Sequence, residues 1–66
     1  MVTLPDSPSR GALADVVRDV RREMLTGSVR VDATAARGWP PRARLVVARL
    51  RRVAVLTGCR WTELPS

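Results

Sequence analysis

Histidine, lysine, asparagine, glutamine, isoleucine, phenylalanine and tyrosine are all missing from this chain. Without histidine the commonest general base is gone, and the acids stand singly or along one predicted helix face rather than as converging pairs. Cys59 is the sole cysteine, so no internal disulfide can form. One thiol and a few carboxylates do not make a tetrahedral zinc site, and no metal is expected. Cys59 has a cationic neighbour in Arg60 but no base beside it, which describes a buried or incidental thiol better than a nucleophile. Glycine occurs only at positions 11, 27, 38 and 58, so no phosphate-cradling loop is present and no cofactor is expected. These absences predict a protein that is not an enzyme and has no catalytic residues.

Long apolar runs are lacking too. Arginine interrupts every strongly apolar stretch, so no membrane span is expected, and Met1 to Arg10 has neither the apolar run nor the early positive charge of a secretory leader. A cytoplasmic location is the default expectation. With 66 residues the chain forms one domain at most, burying roughly 60% of the surface its unfolded form exposes. Domains this small lean on disulfides, metals or association. The first two are excluded, which leaves homo-oligomerisation or a partner.

What is present is arginine. All twelve basic residues are Arg, against six acids, for a net charge of +6. The missing residues include five with AT-rich codons, so a GC-rich genome accounts for arginine standing where lysine otherwise would. The distribution is uneven. Residues 1–38 hold six Arg and five acids, whereas residues 39–66 hold six Arg and only Glu63. A basic half beside a near-neutral half suits a surface facing a polyanion or an acidic partner, although a solvated face that maintains solubility has the same composition.

Two helices are predicted. Ser7-Pro8 or Ser9 offers a start, and Leu13, Val16, Val17, Val20 and Met24 then fall on one stripe of a helix over residues 10–25, with Gly27 suited to its end. Pro41 suits the first turn of a second helix over residues 41–56, closed by Gly58. This helix is apolar on two sides. Val46, Val47, Leu50, Val53 and Ala54 make one stripe, and Leu45, Ala48, Val55 and Leu56 make another, with Arg42, Arg44, Arg49, Arg51 and Arg52 between them. A helix apolar on two sides is usually buried on two sides, and in so small a chain one contact falls to another molecule.

The remaining segments carry weaker signals. Met1 to Ser9 reads as a flexible arm. Val29 and Val31 alternate with Arg30 and Asp32, as in a short extended segment, but a short helix from Ala33 to Arg37, capped by Asp32, is the preferred reading of this region. Thr62-Glu63-Leu64 reads as a final turn. Trp39 and Trp61, the only aromatics, read as lids on a small core, with Trp61 also a candidate anchor for a partner. Arg18, Arg21, Leu25, Thr26 and Gly27 recur 31 positions later as Arg49, Arg52, Leu56, Thr57 and Gly58. Two copies are too few to establish a repeat, and Leu-Thr-Gly is a common helix ending.

The expected architecture is therefore all-α: a small helical hairpin of two main helices plus a short middle helix over residues 10–66, oligomeric or partner-bound, behind an arm of residues 1–9. The leading functional expectation is a small basic regulator that contacts nucleic-acid phosphates through Arg42, Arg44, Arg49, Arg51, Arg52 and Arg60. The Ala35–Arg49 region loosely resembles a helix-turn-helix, but the apolar positions after Gly38 arrive out of step, and Asn and Gln, the usual adenine readers, are absent. The alternative is a protein-binding adaptor or assembly segment that docks on an acidic or apolar surface through Leu45, Val55, Leu56 and Trp61.

A third expectation comes from a resemblance. Arg44-Leu45-Val46-Val47, the apolar run after it, and Leu56-Thr57-Gly58 followed by Glu63-Leu64-Pro65 are similar to the helical segment preceding the left-handed repeat domain of bacterial serine acetyltransferases. The resemblance covers residues 36–66 and implies an inactive stub or an assembly segment. The repeat domain that binds acetyl-CoA and carries catalysis in that family has no counterpart here.

Overall fold

The structure, a computed structural model, describes residues 1–65. In chain order the elements are β1 (Val2–Thr3), α1 (Arg10–Met24), β2 (Ser28–Asp32), a 3-10 helix (Thr34–Gly38), α2 (Pro41–Leu56) and β3 (Arg60–Leu64). The strands form one parallel sheet in the order β1-β2-β3. The all-α hairpin is thereby corrected. The chain is a mixed α/β protein, 55% helical and 18% strand, and its two main helices are crossovers in consecutive β-α-β units.

The helices begin and end where their sequence signals lie. Ser9 caps α1, its Oγ accepting the Ala12 N–H at 3.2 Å. Pro40 and Pro41 start α2, where the missing N–H costs nothing. Each helix stops at Leu-Thr-Gly in the same way. Thr26 donates its hydroxyl to the Glu23 carbonyl at 2.7 Å, and Thr57 donates to the Ala54 carbonyl at 2.9 Å. Gly27 and Gly58 then take φ of 83° and 90°, a region that L-residues avoid, and turn the chain into β2 and β3. The 31-residue echo thus has a structural counterpart, since both copies close a helix and launch a parallel strand.

Right-handed crossovers, the rule for parallel neighbours, place α1 and α2 on the same face of a sheet ordered in sequence. One core results. Val2, Val29 and Val31 project from the sheet, Val16 and Val20 from α1, and Ala43, Val47 and Ala54 from α2, with Leu4 and Trp39 closing the end where the strands finish. Leu13 and Met24 pack against this core as the α1 stripe predicts, and Val17 is half-buried. In α2 the inward stripe is Ala43, Val47, Leu50 and Ala54. Val53, expected inside, is 51% exposed.

Three segments depart from the sequence reading. Residues 1–9, expected as an arm, supply β1 and bury Val2 and Leu4. Residues 28–38 hold both an extended segment and a short helix rather than the helix alone. Residues 60–64 form a strand against β2 instead of a final turn.

Glu23, near the end of α1, ties the N-terminus to β2. Its Oε1 accepts the Arg30 backbone N–H at 3.1 Å, and its Oε2 lies 3.0 Å from the Met1 ammonium. The Arg30 hydrogen bond is the main effect holding the carboxyl below its ordinary value of 4.5; burial opposes it, and the ammonium adds to the lowering. A carboxyl depressed on folding contributes stability above its unfolded value, and that contribution is lost as the pH falls through the folded value. Thermal melts should therefore shift downward as the pH drops from about 5 towards about 3. Glu23→Gln should show a smaller shift across that window, and melts of the two chains with the same pH slope would rule the tether out.

Candidate docking face

The arginines expected to form one site are divided between two surfaces. Arg42, Arg44, Arg49, Arg51 and Arg52 lie on α2 and are exposed. At 100° per residue, Arg44 and Arg51 run along one flank of the helix and Arg42 and Arg49 along another, with Arg52 between them on the outer side. Arg60 begins β3 opposite Ser28, out of step with the inward-facing Val29 and Trp61, so it belongs to the sheet face remote from the helices. Arg30, not singled out in the sequence reading, lies on that same remote face. Among the described residues the ion pairs are Met1 with Glu23 and Arg18 with Asp15, and none involves an arginine of residues 39–65.

The apolar residues expected at an interface also separate. Leu45, Val55 and Leu56 are exposed on the outer side of α2, Leu56 at 76%. Ala48 lies among them, and a shallow depression of about 360 Å³ is lined by Ala48, Arg51, Arg52, Val55 and Leu56. Leucine and valine remain here because the inward stripe of α2 already fills the space above the sheet. Four of the six large apolar side chains left exposed, Leu45, Val53, Val55 and Leu56, belong to this helix. Trp61 is placed elsewhere. It packs against the core from β3, and its Nε1 donates to Glu63 Oε1 at 2.9 Å.

A second cleft, of about 220 Å³, opens where the strands end. Leu4, Ala33 and Glu63 come from the ends of the three strands, and Arg44, Val47, Ala48 and Arg51 come from α2. The small side chains of Ala33 and Ala48 leave the space, and two guanidinium groups and one carboxylate rim it.

Other features are structural. Asp32 accepts both the hydroxyl and the N–H of Thr34, which hold its carboxyl below the ordinary value of 3.8 and start the 3-10 helix. Cys59 lies 3.5 Å from the Met24 carbonyl, at the junction of α1 and β3. The segment expected to resemble a helix-turn-helix is a 3-10 helix joined to α2 through Trp39 and Pro40. No cluster of three or more His, Cys, Asp or Glu side chains able to hold a metal occurs among the described residues. Among them, too, no helix is long and apolar enough to cross a membrane. The chain matches no known protein family, no curated protein and no solved structure.

Proposed function

We propose that this protein acts by binding rather than by catalysis, as an adaptor or assembly module that docks the outer side of α2 onto a protein surface carrying both apolar and acidic groups. The observation that carries this reading is the side chain pattern of one helix. Leu45, Ala48, Val55 and Leu56 stand exposed among arginines that have no acidic partner among the described residues. Apolar side chains set among arginines, with Arg52 in their midst, can serve an interface in which the apolar groups anchor the partner and the charges steer its approach.

The test is co-purification from the native host, with and without nuclease, using the wild-type chain and a Leu45→Ser/Leu56→Ser variant. Both positions are exposed, so the double variant should melt within a few degrees of wild type. It should lose a nuclease-resistant protein companion that the wild type retains. Equal recovery of that companion by both chains would remove α2 from the docking role.

Nucleic-acid binding is the second reading, favoured by the arginines of α2, which have no ion-pair partner among the described residues. Its weakness is that phosphates offer nothing to Leu45, Val55 and Leu56. On duplex DNA it requires affinity to fall with salt, with a log–log slope of roughly −0.9 per phosphate contacted. Arg49→Ala with Arg52→Ala should make that slope shallower, and Arg18→Ala, beside Asp15, should change it little. A gel shift on random duplex DNA that is insensitive to salt, or that Arg18→Ala damages equally, would dispose of this reading.

A further inference from the structure

The free edge of the sheet carries an inference that does not depend on the α2 face. The two edges differ in length. β1 contributes two residues, whereas β3 contributes five, Arg60 to Leu64. Within β3 the backbone groups alternate between β2 and the outside. Arg60 donates its N–H to the Gly27 carbonyl at 2.9 Å, and the Leu64 carbonyl accepts the Ala33 N–H at 2.7 Å. In a parallel ladder residues 60, 62 and 64 therefore face β2, while the N–H and C=O of Trp61 and Glu63 point away from the sheet. An open row of this kind is a template for another strand.

We propose that β3 pairs with β3 of a second copy of this chain, antiparallel about a two-fold axis at Thr62, giving a continuous six-stranded sheet. This register follows from the edge. Antiparallel pairing requires the outward groups of one strand to meet those of the other, which places Trp61 opposite the partner's Glu63 in a hydrogen-bonded pair, and Glu63 opposite the partner's Trp61 in the symmetric one. Each pair exchanges two backbone hydrogen bonds. Thr62 then faces the partner's Thr62 as the intervening pair without backbone bonds, and Arg60 faces the partner's Leu64. No like charges oppose one another, and the strand is complementary to itself, as a two-fold interface demands. Pro65 limits the pairing to these five residues because it has no N–H to extend the ladder. The axis is perpendicular to the sheet, so both α2 helices lie on the same side of the dimer.

Charge opposes this association, since each copy carries +6. Dimerisation should therefore strengthen as salt rises, the opposite of the salt dependence expected for an acidic partner or for nucleic acid. Sedimentation equilibrium at about 50 mM and about 500 mM salt reads this directly. A chain made by chemical synthesis with an N-methyl group on the Glu63 amide loses one outward donor per copy and keeps every bond to β2. It should keep the wild-type circular dichroism and dimerise roughly 30-fold more weakly, which corresponds to two hydrogen bonds at about 1 kcal/mol each.

Cross-linking gives a second measure that does not depend on the synthetic chain folding. In a Cys59→Ser background, Thr62→Cys should oxidise to a covalent dimer. Facing Cα atoms in such a pair lie about 4.5 Å apart, within reach of a disulfide. Arg30→Cys, on the same sheet face but in the central strand, should not oxidise to a dimer. A protein that stays monomeric in high salt overturns the proposal. So does cross-linking at position 30 as fast as at position 62, or a folded N-methylated chain that dimerises as tightly as wild type.

Discussion

A chain carrying Val20→Asp is expected to be unfolded in water at 25 °C. Val20 is 1% exposed and sits in the seam between α1 and the sheet, among Val16, Val29 and Val31. No arginine lies in this core. An aspartate there must either ionise without a partner or stay protonated with its oxygens unsatisfied, and each route costs several kcal/mol. A domain of this size has a net stability of only about 3–5 kcal/mol. The substitution should consume all of it, and circular dichroism should show the helical signal lost without a cooperative melt. Retained helicity with an unchanged midpoint would place the α1 stripe outside the core.

Trp39→Ala should be almost as damaging, for a different reason. Trp39 is 3% exposed, and its Nε1 donates to the Pro5 carbonyl at 2.9 Å. It fastens the segment after β1 to the start of α2, across 34 positions of sequence. Truncating a buried tryptophan costs about 3–5 kcal/mol through lost burial and the cavity left behind. Trp39→Phe keeps most of the ring and removes only the donor, so it should lose about 1 kcal/mol, or roughly 4–8 °C in melting temperature. If the two variants melted together, the hydrogen bond rather than the ring would be the fastening.

These two positions mark how far the sequence could be read. Val20 lies on a 15-residue helix whose apolar spacing repeats several times, so α1, its capping serine and its glycine ending were all legible from residues 10 to 27 alone. The limits of α2 were legible for the same reason, although Val53 was misplaced because its position on the helix borders the inward stripe. The sheet was hidden because its evidence is not local. β1 is two residues between Met1 and Leu4, too short for any periodicity. In β3 the inward positions are Trp61 and Glu63 and the outward ones include Leu64, so polar and apolar residues do not alternate by face. Parallel sheets usually carry helices on both faces and read as continuous apolar runs. This one carries helices on one face only, and Arg30 in the middle of β2 breaks the run. The valine alternation at 29 and 31 was visible, but its partners lie near residues 2 and 61.

The candidate site was legible in the same uneven way. Exposure of Leu45, Val55 and Leu56 follows from a helix with more apolar surface than one core can take, and that was visible in the spacing. The separation of Arg60 from the arginines of α2 was not, because it depends on the strand that the sequence concealed. The free backbone of Trp61 and Glu63 gives no signal in side chain chemistry.

Parallel pairing also governs how this chain reaches its native state. Val2 pairs with Val31, and Val29 with Trp61, so the two ladders join residues 29 and 32 positions apart with a whole helix in each intervening loop. No hairpin can nucleate the sheet. The entropy of closing each loop must be met before its ladder returns any energy, so this chain should fold more slowly than a helical bundle of equal length. Until the second loop closes, β2 is itself an open edge, and nascent chains at high concentration are exposed to pairing with one another at the strand that ends up in the centre.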